Sequence, residues 1–196
     1  MQWSAGLRAI ALCVAATALS VRAAGPQSVD LHGTARAGAG AAPDAVVWLD
    51  APNAPAAAAR RVVLDQRNLS FSPRVLAVRV GTTVDFPNND RVFHNVFSFK
   101  DGKRFDLGMY PVGALKRVTF GQPGLSRIFC NIHPNMAAYV LAVDSPYFAV
   151  SDASGAFTIA SVAPGAYAYH AWRAGATEVT GTWTSTSGPP LTVSWP

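Results

Sequence analysis

"VLAVRVGTTVDFPNND", Val75 to Asp90, is the stretch that decides the fold class. Leu76, Val78 and Val80 alternate with Ala77 and Arg79, Gly81 interrupts, and Val84 and Phe86 then alternate around Asp85. Side chains of a strand point to opposite faces in turn, so this period of two predicts two half-buried strands joined at Gly81. Working outward, "FHNVFSF", "LKRVTF", "SRIFCNI" and "AAYVLAV" repeat the composition, and Gly, Pro, Asn and Asp separate them. Short Val-, Phe- and Thr-rich runs at such spacing belong to an all-β chain, and no window outside the N-terminus carries a helical stripe.

The N-terminal residues follow a different plan. Arg8 precedes an apolar run from Ala9 to Val21, and small residues follow at Ala23 and Ala24. This order predicts a signal peptide over residues 1–23, and hence an exported, periplasmic protein. The run is too short to span a bilayer comfortably, so no stable membrane insertion is expected. Removing the segment takes away Cys13 and leaves Cys130 as the only thiol, so no internal disulfide can form. Arg8 and Arg22 go with it, leaving 14 basic against 11 acidic residues and a net charge of +3. That surplus is mild and scattered, which argues against nucleic acid as a partner.

A lone thiol in an oxidising compartment needs burial, a partner or a metal. Cys130 opens "CNIHPNM", where His133 and Met136 follow at steps of three. A soft copper site that passes electrons uses a thiolate, two neutral imidazoles and a weak axial thioether. The loop holds three of these, and His94, shortly after the polar turn "NNDR", is the candidate for the second imidazole. Met109 is the other axial candidate, and the loop spacing favours Met136. Structural zinc takes four strong ligands and rarely a thioether. A Cys130–His133 nucleophile leaves His94 and Met136 without a role, and an orienting acid is not evident. His32 and His170 form no His-x-His pair for a second metal, so no enzyme activity is expected. Pro134 has no N–H to donate to the nearby sulfur.

Across about Val62 to Asp144, the "F-x-P…V…G…V…F-x-N-x-D…H-N-V" approach and the C-x-x-H-x-x-M loop resemble the cupredoxin, or type 1 blue copper, family. The short loop with Pro134 after the histidine is most similar to amicyanin; plastocyanin and azurin use longer loops. The resemblance implies a Greek-key β-sandwich over 62–144 and one type 1 copper ion. It also implies His94 and His133 binding through Nδ1, Cys130 as thiolate, Met136 as axial ligand, and Asn95 as the residue tying the ligand strand to the cysteine loop. The tail "VSDASGAFTIASVAPGAYAYHAW" resembles the carboxypeptidase regulatory-like, transthyretin-type β-module. That module accounts for 145–196 and is expected to draw in the strands "VDLHGTA" and "DAVVWLD" of 24–61, as a second small β-sandwich-like unit with the cupredoxin block between its halves. "APNAPAAAARR" reads as a surface link, and "VDSPYFAVSD" as a border between units.

The function expected is single-electron transfer between periplasmic redox partners, such as a c-type cytochrome or a dehydrogenase. Arg91, Lys100, Lys103 and Arg104 are candidate steering charges. The alternative is a periplasmic copper chaperone or buffer without a redox partner, which mobile Met/His-rich loops would mark; the chain after residue 23 has only Met109 and Met136.

Overall fold

A computed structural model describes residues 27–52, 54, 58, 60–99, 101–185 and 190–196. The expected signal peptide, and with it Cys13, lies outside the described residues, as does Lys100. The described residues form eighteen strands and no helix, hence none long and apolar enough to cross a membrane.

In chain order the strands are β1 (Val29–Ala37), β2 (Gly40–Ala41), β3 (Val46–Leu49), β4 (Arg61–Val63), β5 (Asp65–Arg67), β6 (Ser70–Ser72), β7 (Val75–Arg79), β8 (Thr82–Pro87) and β9 (His94–Ser98). They continue as β10 (Phe105–Tyr110), β11 (Leu115–Phe120), β12 (Gly124–Phe129), β13 (Ala137–Val143), β14 (Phe148–Val150), β15 (Ala156–Val162), β16 (Ala166–Trp172), β17 (Val179–Thr184) and β18 (Leu191–Trp195). Pairing partitions them. One sheet runs β10-β9-β12-β13-β7, a second β11-β8-β4, and β5 pairs with β6 as a ribbon. The first and last strands form two further sheets, β15-β1-β18 with β2 on β1, and β14-β3-β16-β17. The stretch read as a border therefore contains β14, which pairs with β3, and the expected link ends where Arg61 opens β4.

The first two sheets close over Val78, Val84, Phe86, Val96, Phe120, Ile128 and Val140. The other two close over Leu31, Ala35, Val47, Leu49, Phe157, Ile159, Val193 and Trp195. In the second set the D-x-x-G turn has a local cause. Asp152 Oδ1 accepts the N–H groups of Ser154 and Ala156, and Gly155 sits at φ 81°, where a Cβ would meet the carbonyl oxygen of Ala35 at 2.3 Å.

Where the two sets meet, Val46 packs with Val75, Leu141 and Val143, all buried, and the Tyr139 and Trp172 rings lie edge to face 5.2 Å apart. β7 and β13 thus pack on both faces, and Ala77, which alternates with Leu76 and Val78, packs against this junction. Beside it, His170 stacks on Trp48 and bridges Glu178 through Nδ1 (2.7 Å) and Asp50 through Nε2 (3.2 Å). Burial works against its charge, but the two carboxylates outweigh it and the imidazole titrates above its ordinary value. A raised histidine stabilises the fold below its unfolded-chain pKa and loses that contribution as pH climbs through the folded value. His170→Gln should therefore lower the melting temperature more near pH ~5.5 than near pH ~8.5. An equal deficit at both pH values would show that the imidazolium contributes nothing.

Candidate metal centre

β12 ends at Phe129 and β13 starts at Ala137, and these two residues are paired, so Cys130 to Met136 must turn within a tight frame. The loop closes on itself: Met136 N–H donates to His133 O (2.9 Å), and Cys130 N–H donates to Met136 O (3.2 Å). His94 heads β9, opposite Tyr110 of β10. It is fully buried, while Cys130 is 4% and Met136 1% exposed. His133 is half-buried and is the one of these four side chains open to solvent.

Three donor atoms converge. His94 Nδ1 and His133 Nδ1 lie 3.1 Å apart, and Cys130 Sγ lies 3.9 Å from the first and 3.5 Å from the second. Metal–sulfur and metal–nitrogen lengths of ~2.3 and ~2.0 Å in a trigonal array would space nitrogen from nitrogen by ~3.5 Å and sulfur from nitrogen by ~3.7 Å. The observed separations scatter around those values, so the residues fit a metal ion. Both imidazoles present Nδ1, the atom expected. Met136 packs with Cys130 in the same buried cluster, whereas Met109 is 54% exposed on β10. His32 bonds Thr158 and His170 lies at the junction, so neither joins the group.

The sulfur receives one backbone hydrogen bond, from Asn95 N–H at 3.5 Å. The contact from Asn95 to the cysteine loop is made by its backbone. Its side chain does not reach the cysteine loop; Nδ2 donates to Asp106 Oδ1 (2.8 Å) on β10. Gly108 N–H first, and then this amide, hold the Asp106 carboxyl below its ordinary range. Pro134 lies exposed in the loop.

Asp90 was missed by the sequence reading, which took "NNDR" as a polar turn only. Its Oδ2 accepts His94 Nε2–H at 2.9 Å and Leu69 N–H at 2.7 Å, and its Oδ1 accepts Arg91 N–H at 2.8 Å. The Leu69 amide is the largest influence holding this carboxyl down to about 2; burial opposes it and His94 adds to it. Asn88 fixes the turn by accepting Asp90 N–H and donating to the carbonyls of Val92 and Tyr110. An acid four residues before a candidate histidine ligand was the available signal.

No family model and no curated protein matches this chain. Solved structures do. The purple cupredoxin from Nitrosopumilus maritimus is 27% identical over 42% of this chain and 98% of its own, with a TM-score of 0.38. A reduced amicyanin mutant is 25% identical over 42% of this chain and 81% of its own, with a TM-score of 0.38. A copper-containing nitrite reductase from Thermus scotoductus is 28% identical over 48% of this chain, with a TM-score of 0.41, and the match spans only 25% of its length. These structures are what the chain is similar to.

Proposed function

We propose that the chain binds one copper ion through His94, Cys130, His133 and Met136 and carries single electrons between exported redox partners. The observation that carries this reading is the convergence of one thiol and two imidazole Nδ1 atoms at separations suited to a single ion. Copper bound there supplies a one-electron couple, and a thiolate with imidazoles suits both of its oxidation states.

The protein's own part is to hold the donors still. Cys130 and Met136 are tied by backbone bonds across the loop, and His94 is fixed at the head of a central strand, so the set need not rearrange when the charge changes. Burial of three donors favours a carrier over a chaperone, which must expose its ligands to hand copper on. His133 is the side chain through which an electron would pass. Exposed apolar residues adjoin both histidines in sequence, Phe93 at 52% and Ile132 at 42% exposure, and suit an apolar face on a protein partner.

Purified protein given Cu(II) should develop an intense visible thiolate-to-copper absorption that bleaches on reduction and returns on oxidation. A colourless protein would defeat the carrier reading.

A further inference from the structure

We infer that Asp90, held by the Asn68–Leu69 turn, is a positioning residue that fixes the tautomer of His94 and tunes the centre through it. The inference rests on the copper reading for its effect on potential, and on geometry alone for its effect on the imidazole.

A carboxylate can only accept, so a bond of 2.9 Å between Asp90 Oδ2 and His94 Nε2 places the ring proton on Nε2. The lone pair is then on Nδ1, the atom facing Cys130 and His133. Orientation and tautomer are set together, before any metal arrives. A carboxylate behind the ring also makes the imidazole a stronger donor, which favours the more highly charged metal.

The turn explains why Asp90 stays aimed. β5 and β6 pair with each other, and the ribbon is held to the 88–90 segment by the Gln66–Asn88 bridge, by Asn89 N–H donating to Gln66 O, and by Asn89 Nδ2 donating to Asp65 Oδ1. At its tip Asn68 and Leu69 both take positive φ, 53° and 56°. Asn tolerates this conformation and a bulky residue rarely does. Leu69 is half exposed, so burial gives little return for the backbone cost. What its conformation does achieve is the 2.7 Å bond from its N–H to the oxygen that holds His94.

Two measurements on Asp90 variants test this. In metal-free, isotope-labelled protein, ring nitrogen shifts and long-range couplings should show His94 as the Nε2–H tautomer, and Asp90→Ala should populate both tautomers. In copper-loaded protein, Asp90→Asn should keep the visible band, because every ligand remains, yet weaken Cu(II) relative to Cu(I) about tenfold, raising the potential by about 59 mV. An Nδ1–H tautomer in the wild type, or a potential unmoved by Asp90→Asn, would overturn the role. If no thiolate band forms at all, the copper reading falls, and the metal-free tautomer measurement still decides whether Asp90 positions the ring.

Discussion

Cys130→Ser is expected to abolish the visible absorption of the copper-loaded protein and to leave the fold intact. The absorption requires a thiolate bound to the metal, and a serine hydroxyl at the same place neither ionises near neutral pH nor offers a soft donor. The fold should tolerate the change for local reasons. Cys130 is buried, but its sulfur sits among polar groups, the N–H of Asn95 and two imidazole nitrogens, and a hydroxyl can pair with any of them. The far-ultraviolet spectrum and melting temperature of the metal-free variant should match the wild type. A variant that keeps the band would show that another group colours the protein. One that loses both band and fold would assign Cys130 to packing instead.

The site was legible in the sequence to the extent that its donors were rare. With Cys13 set aside in the expected leader, a single thiol was left to consider, and His133 and Met136 stand beside it in a segment too short to scatter them. His94 was reachable because it follows a polar turn and begins an apolar strand. Asp90 was legible only in part: an acid four residues before His94 stood in view, but what aims it is Leu69, twenty-one residues earlier, whose backbone conformation no composition signal reports. Asn95 shows the same limit from the other side: the atom that reaches the sulfur is an amide that any residue other than proline would provide.

In the fold, alternation worked where one face of a strand meets a core and the other meets water. β8 buries Thr82, Val84 and Phe86 and leaves the residues between half-open. It failed at the junction. β13 buries Val140, Leu141, Ala142 and Val143 in succession, because one set faces the interior and the other faces Val46. A strand covered on both faces loses its period of two, so the strands that join the two sets carry no pattern announcing the join. β10 was missed as a strand for a related reason: "FDLGMY" is irregular, with a break in pairing between Asp106 and Met109 and Gly108 at φ 63°.

Phe86→Ala should cost about 3–5 kcal/mol and lower the melting temperature by roughly 6–20 °C. Phe86 is fully buried near the C-terminal end of β8, its ring lies 6.0 Å from that of Phe105, and its carbonyl accepts the Tyr110 hydroxyl. Truncation removes the ring's burial and leaves a void that close-packed neighbours fill only partly. Against a total stability of about 5–15 kcal/mol the loss is a large fraction. The contrast with Leu115→Ala is what ties this to the alternation. Leu115 heads β11, the strand paired to β8, but is 39% exposed, so its truncation should cost far less than the full Leu→Ala penalty of about 2–5 kcal/mol. Urea unfolding of both variants measures the two costs directly. If they prove equal, apolar content alone set the stability, and the inward face predicted from Val84 and Phe86 did not define the core.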